Sequence, residues 1–429
     1  MTQNPGARPT WYRRLLEPAL FLAAALGIIL TPVPDGSAAP ADPGAVRLEP
    51  PIIRVFLFRA EEVTLSCVRT AGELWDLAAG SRLLTVLAPG QNYKLDWSGQ
   101  WRLLDKAGKD LLAGRTSGKL ELRLEPGAVA ACGAVQTIRY RGALRFLAQP
   151  EGGLAAVNVI DLESYLQGVV GAEMPAHWPA EALRAQALAS RTYALFQIYD
   201  RQDQGDWDLG SDQGSQVYGG VDRETRSVTQ AVEETRGVVL SYPQGGREKI
   251  FPAYYSSICG GHTQDAEPVF GKKLPPLSSP RPCPYCQETA PADYIHWKSV
   301  SLEKSLASEM ILVRYPELRT LEKVADIRIT QRSDYGRVER VELKGSNGRK
   351  IMLRGEDFRL GVLSGRNPIR SGWYELVDGG GEWRFENGRG WGHGVGLCQY
   401  GTQAMAQAGK DCVEIMEFYY PQSRLVRAY

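Results

Sequence analysis

The sequence has almost no net charge. Its 429 residues hold 50 Lys and Arg against 49 Asp and Glu, a formal balance of +1. Proteins that neutralise nucleic-acid phosphates carry a clear basic excess, so that class is excluded. The chain also lacks a Walker-type loop, a dinucleotide-binding glycine fingerprint and any internal repeat. What it does have is length and apolar content: 43% hydrophobic residues suffice for real cores in two or three domains.

Apolar residues run on most at the N-terminus. Arg8, Arg13 and Arg14 precede an uncharged stretch from Pro18 to Pro34, with its apolar heart at Ala19 to Leu30. Ser37, Ala38 and Ala39 follow. This order of basic, apolar and small segments makes residues 1–39 an export signal. The run falls a little short of the about 20 residues that span a bilayer. A retained N-terminal membrane anchor is the alternative. Either reading places the bulk of the chain outside the cytoplasmic membrane, in the envelope. Residues 40–51 are rich in proline and small residues and read as a linker.

Cysteines stand at positions 67, 132, 259, 283, 286, 398 and 412. In an exported protein they are expected to pair, and an odd count leaves one over. If Cys67 pairs with Cys132 and Cys398 with Cys412, then Cys259, Cys283 and Cys286 remain, close to His262. A CxxH followed by a CxxC fits the ligand set of a structural zinc site. A disulfide among the same cysteines is the competing reading.

Residues 52–149 carry short β-prone runs, such as Ile52–Phe58, Glu121–Leu124 and Thr137–Tyr140, separated by Gly- and Pro-containing turns. They predict a smaller β-rich accessory domain. Residues 150–429 predict one mixed α+β domain. Ala155–Ile160 reads as a strand, Asp161 as a helix N-cap and Gly168 as that helix's stop. A second helix, rich in good helix formers, should run from Pro179 to about Tyr199. Ile327–Thr330, Val338–Leu343 and Ile351–Arg354 read as strands around a turn at Asp334–Gly336, followed by a short helix over Glu356–Leu363.

Glu173 lies between Val169-Val-Gly-Ala172 and Met174-Pro175. A carboxyl with apolar flanks is partly desolvated, which raises its pKa and suits it to proton donation. Arg184 and Arg191 stand seven residues apart on the second helix, share a face, and could hold substrate oxygens. The plainer reading is a surface Glu in an interhelical turn with solvated arginines. Further on, glycine occupies every other position of Gly388-Arg-Gly-Trp-Gly-His-Gly-Val-Gly396. If extended, one face is bare backbone and the other presents Arg389, Trp391, His393 and Val395. A Trp and a His together suit sugar recognition; a packing strand with a structural His is the alternative.

Taken in order, these segments resemble the SpoIID/LytB family. The stretches that carry the resemblance are Asn158–Pro175, Trp178–Tyr193, Gln216–Tyr218, Tyr254–Ser257 with Gly260–Thr263, and Gly390–Gly401, within residues 135–429. The resemblance implies a peptidoglycan lytic transglycosylase acting on glycan strands stripped of stem peptides, with Glu173 as acid and then base. It implies that Arg184 and Arg191 bind or support substrate, and that Tyr255, Ser257, Trp391, His393, Gln399 and Tyr400 line the cleft. It also implies a second possibility, a non-catalytic wall-binding enhancer of a cell-wall amidase. No cofactor is required by this chemistry, and any zinc at Cys259, His262, Cys283 and Cys286 is structural. Two positions depart from the pattern: Arg184 stands where many relatives have Lys, and Cys398 where they often have Ser.

Overall fold

The computed structural model describes residues 31–32, 49–77, 80–112, 118–202, 204–362 and 369–429. The export-signal reading of residues 1–39 falls outside the described residues, Thr31–Pro32 apart, as does most of the linker. Helices and strands mix throughout, as the α+β reading anticipates.

The β-rich region forms two sheets. One runs in the order Ile138–Tyr140, Ala130–Gly133, Glu62–Cys67, Asn92–Trp97, Trp101–Leu104. The other runs Leu209–Gly210, Ile52–Ala60, Leu154–Asp161, Ala143–Ala148, Leu120–Leu124, Gly72–Asp76, Arg82–Leu87. Residues on the inner faces alternate, so Val63, Leu65 and Cys67 point into the core while their neighbours do not. Leu65, Leu95 and Trp101 from one sheet join Val55, Leu74 and Leu122 from the other in one buried cluster.

That cluster corrects the expected boundary at 149/150. Ala143–Ala148 and Leu154–Asp161 are antiparallel partners, and Leu154–Asp161 also pairs with Ile52–Ala60. The change of texture at residues 149–153 is a turn, with Gly152 and Gly153 both at positive φ, rather than a domain edge. Core residues of the helices, including Leu166, Leu183 and Leu188, belong to the same cluster.

Leu154–Asp161 leads directly into helix α1 (Leu162–Glu173). Asp161 caps it, accepting from the Ser164 N–H at 2.9 Å. The helix does not stop at Gly168. Gly168 and Gly171 are glycines because a Cβ there would lie 2.6 Å from the Tyr218 ring and 1.9 Å from the Arg223 carbonyl. They allow close packing in mid-helix. Pro175 is the stop: it forces Met174 out of helical geometry, to φ −128° and ψ 141°. Glu173 is therefore the last residue of α1. Helix α2 (Ala180–Asp200) follows after Pro179, close to expectation.

Among the described residues, 150–429 hold two large cores, not one. The antiparallel pair His296–Trp297 and Gly388–Arg389 brackets an insertion. Within it lie two three-stranded sheets, the helices Lys304–Arg314 and Gly355–Gly361, and a separate apolar cluster including Leu302, Ile311, Val341, Phe358 and Phe385. The strands and short helix expected around residues 327–361 all lie in this insertion; Leu363 is outside the described residues.

Candidate active site

Glu173 ends α1 half-buried, and its carboxylate accepts three hydrogen bonds. Oε1 takes the Val217 N–H at 2.8 Å and the Tyr255 hydroxyl at 3.2 Å; Oε2 takes the Gln399 amide at 3.1 Å. A second layer fixes these donors. Gln216 donates to the Tyr255 hydroxyl at 3.1 Å and accepts from the Tyr165 hydroxyl at 3.2 Å. On α2, Gln186 faces Gln399 at 3.5 Å and donates to the Ser190 hydroxyl at 2.9 Å.

Burial raises the Glu173 pKa above the ordinary carboxylate range; the Val217, Gln399 and Tyr255 donors oppose the shift but do not cancel it. Its place at the C-terminal end of α1 acts in the same direction as burial, since the helix carbonyls disfavour a negative charge there. Among the described residues, none of the groups hydrogen-bonded to it is a carboxylate or a cation. The site thus holds one carboxyl of raised pKa, fixed by neutral donors.

The two arginines are not part of it. At 100° per residue, Arg184 and Arg191 do share a face of α2, but Gln186 and Ser190 lie on the roughly opposite one, and that second face meets Gln399, which donates to Glu173. Arg191 is fully buried in a bidentate pair with Glu163 at 2.9 and 2.8 Å, and also donates to the carbonyls of Val232 and Val238. Glu163 further accepts from the Tyr429 hydroxyl at 2.6 Å and the Gly237 N–H at 3.1 Å. Arg184 is held by Glu181 and Glu234.

The glycine-rich segment is not an extended strand. Gly390, Gly392, Gly394 and Gly396 all have φ between 69° and 98°, so the chain kinks at each and the two-faced alternation is lost. The reason is close approach: a Cβ on Gly396 would lie 2.0 Å from the Tyr254 carbonyl, and one on Gly390 2.7 Å from that of Ile258. This packing delivers Gln399, the first residue of the helix Gln399–Gln407, to Glu173. His393 serves the loop. Its Nδ1 accepts from the Val395 N–H at 3.0 Å, and its ring packs against Phe270 and Tyr254. Burial pushes its pKa down to about 4, so it is neutral at physiological pH. Ser257 supports Tyr400, whose N–H reaches the Ser257 carbonyl at 3.2 Å. Trp391 and Tyr400 lie half-buried, in contact with Tyr294.

A second constellation lies on the other side of the same loop. The Sγ atoms of Cys259, Cys283, Cys286 and Cys398 all fall within 4.8 Å of one another, and all four residues are buried. Cys259 and Cys286 are 3.6 Å apart. Tetrahedral zinc with Zn–S bonds of about 2.3 Å requires sulfurs about 3.8 Å apart, so this donor set fits. The Cys259 N–H donates to Cys398 Sγ at 3.2 Å. Nearby, Arg337 is buried, donates to the Cys259 carbonyl, leaves its Nε without a partner, and among the described residues forms no ion pair. A buried cation is costly unless compensated, and a metal tetrathiolate carries the opposite charge.

Two sequence readings change here. His262 is not the fourth ligand: its ring stacks on Tyr335 at 3.9 Å and its Nδ1 lies 2.7 Å from the Thr263 carbonyl. Cys398 takes that place, and so is not the partner of Cys412. Cys67, Cys132 and Cys412 are buried and free as well.

Sequence reading passed over Gln186, Ser190, Tyr165 and the role of Gln216-Val217. The last pair could have been found, since it lies within one of the short segments that carry the resemblance. A fold that converges on one half-buried carboxyl from α1, the Gln216–Val217 loop, Tyr255 and the glycine-rich loop defines a class, and comparison with known proteins identifies it. Residues 150–242 match the model of the Stage II sporulation protein family, SpoIID. An uncharacterized protein of Brachyspira hyodysenteriae is 34% identical over 283 residues, 66% of this chain and 71% of its own. Stage II sporulation protein D of Bacillus amyloliquefaciens is 29% identical over 287 residues, 62% of this chain and 74% of its own. The amidase enhancer of Bacillus subtilis is 27% identical over 294 residues, and this chain spans 40% of its length. The chain belongs to the SpoIID/LytB family.

Proposed function

We propose that the protein is an exported peptidoglycan lytic transglycosylase. The observation that carries this reading is the half-buried Glu173 carboxyl, with raised pKa and, among the described residues, no carboxylate or cation hydrogen-bonded to it. Hydrolysis of a glycosidic bond ordinarily takes two carboxylates, one for the leaving oxygen and one for water or the sugar. Intramolecular transfer takes one. Protonated Glu173 gives its proton to the oxygen between MurNAc and GlcNAc as the C1–O bond breaks. The 6-hydroxyl of the same MurNAc then bonds to C1, and its proton returns to Glu173. The products are a free 4-hydroxyl and a 1,6-anhydro end, and the acid is regenerated.

The test is to incubate the protein with peptide-free glycan and analyse the new ends by mass spectrometry. Anhydro ends are expected. Reducing ends would replace the reading with hydrolysis. Because the free enzyme must hold the proton, kcat/KM should fall by about tenfold per pH unit once pH exceeds the raised Glu173 pKa. The profile should show no second limb from a separate base. A rise in kcat/KM through the same range would mean that Glu173 acts ionised.

The amidase-enhancer name of the Bacillus subtilis relative supports a second reading, a wall-binding stimulator of an amidase. It predicts stimulation that survives Glu173→Gln, together with no glycan cleavage by the wild type.

Zinc held by Cys259, Cys283, Cys286 and Cys398 would be structural, since all four positions are protein thiolates and none is left open for substrate. It would tie Tyr254–Gly261, Cys283–Cys286 and the glycine-rich loop together beside Gln399. Metal analysis of protein prepared without chelator should find about one zinc per chain. Cys398→Ser should lose it and His262→Ala should keep it. Loss of zinc in His262→Ala, or none in the wild type, would overturn this assignment.

A further inference from the structure

An aromatic tract starts beside Glu173 and ends on a cation. Gln399 touches Glu173, and the next residue, Tyr400, meets Trp178 edge to face at 5.0 Å and Tyr294 at 6.5 Å. Tyr294 meets Trp391 edge to face at 4.8 Å. The Arg370 guanidinium then lies 4.5 Å from the Trp391 ring centre and 5.5 Å from that of Tyr294. Its main chain is fixed to the glycine-rich loop, with the Gly392 N–H donating to the Arg370 carbonyl at 2.7 Å. Its Nη1 donates to the Asp293 carbonyl at 2.9 Å.

Two features separate this tract from ordinary packing. Tyr400, Tyr294, Trp391 and Arg370 are each only half-buried, so the tract keeps aromatic surface in reach of the apolar face of a sugar. Among the described residues Arg370 also forms no ion pair: its contacts are ring faces and a carbonyl. A guanidinium stacked on aromatic rings keeps its outer donors free and is geometrically matched to a carboxylate.

Glycan strands carry a carboxylate in one circumstance. The lactyl group of MurNAc ends in a free carboxylate when no stem peptide is attached, and in a neutral amide when one is. We propose that Arg370, at the far end of the Tyr400–Tyr294–Trp391 tract, binds the lactyl carboxylate of a MurNAc residue and so selects peptide-free glycan. The proposal rests on glycan being the substrate. It adds the residue that reads the strand's state and the group that is read. A stem peptide removes the charge that Arg370 recognises and adds bulk at the same point.

The test measures binding rather than turnover. Glu173→Gln protein is titrated by calorimetry with a peptide-free GlcNAc–MurNAc tetrasaccharide and with chitotetraose, which has no lactyl groups. A charge-assisted contact at a half-exposed site makes the MurNAc ligand tighter by about tenfold. Adding Arg370→Ala removes that preference and leaves chitotetraose binding in place, whereas Arg370→Lys restores part of it. An unchanged preference in Arg370→Ala overturns the proposal. So does an equal loss of both ligands that Arg370→Lys does not rescue, since that marks a merely structural residue. Binding of neither glycan by the Glu173→Gln protein itself would overturn the glycan reading as a whole. Cleavage of peptide-free glycan with no Arg370-dependent preference would overturn this inference alone.

Discussion

Glu173→Gln should lower glycan cleavage by about 10³-fold, the scale of a positioned general acid, and should leave the melting temperature at pH 7 equal to or above that of the wild type. The two readouts have one cause. Burial raises the pKa of Glu173 in the folded state. A carboxyl with a raised folded pKa stabilises the fold below its unfolded pKa. That contribution is lost as pH rises through the folded value, and above it the ionised group is a burden. Glutamine is neutral at every pH and nearly isosteric. Its carbonyl can accept from Val217 and Tyr255, and the facing Gln399 amide can turn to present its oxygen. The variant therefore keeps the site's shape and loses only the proton. Product analysis on peptide-free glycan, with a thermal melt on the same sample, checks both. Cleavage within a few-fold of wild type would place the acid elsewhere. A large drop in melting temperature would recast Glu173 as structural.

Arg191→Ala should behave in the opposite way: a loss of about 3–5 kcal/mol of stability, seen as a sharply lower melting temperature, with any activity loss following from unfolding. Removing one partner of a buried pair strands the other charge away from water. Here the stranded group is Glu163. Burial alone would raise its pKa, but Arg191, the Tyr429 hydroxyl and the Gly237 N–H together hold it below the ordinary range. A depressed carboxyl stabilises the fold above its unfolded pKa, and that contribution disappears as pH falls through the folded value. Wild type should thus lose stability on acidification through this group, and Arg191→Ala should show little of that dependence. Urea unfolding at several pH values makes the comparison. A stability change below about 1 kcal/mol, the range of an exposed pair, would contradict the burial seen for Arg191. A selective loss of substrate binding in a stable Arg191→Ala protein would return the residue to the cleft.

These two residues mark what was legible in the sequence and what was not. The partial desolvation of Glu173 was legible because its cause is local: apolar residues flank it on both sides. Arg191 was not, because α2 has two useful polar faces, Arg184 with Arg191 and Gln186 with Ser190, and periodicity alone does not say which one meets Glu173. The metal ligands divide in the same way. The CxxC of Cys283 and Cys286 is a short-range signal, and Cys259 was in view. Cys398 lies more than a hundred residues further along, and only the pairing of Tyr255–Ser256 with Leu397–Cys398 brings it beside Cys259. His262, near in sequence, is drawn off by Tyr335 of the insertion. The glycine alternation pointed to close backbone approach correctly and to an extended strand wrongly. An unhindered residue adopts positive φ as readily as negative, and the sequence does not say which.

By itself, then, the sequence determined what local chemistry controls: the Asp161 cap that starts helix α1, the alanine-rich α2, and the ordered motifs of the family. Where α1 ends was decided by the packing that keeps Gly168 and Gly171 inside the helix. The tertiary structure decided which groups at long separation meet. It chose Gln399 and Tyr255 for Glu173, Glu163 for Arg191, Cys398 for the thiol cluster, and Arg370 for the far end of the aromatic tract. The physical reason is that burial is cooperative. A side chain's partner, protonation state and exposure depend on every element packed around it, and those elements come from the whole length of the chain.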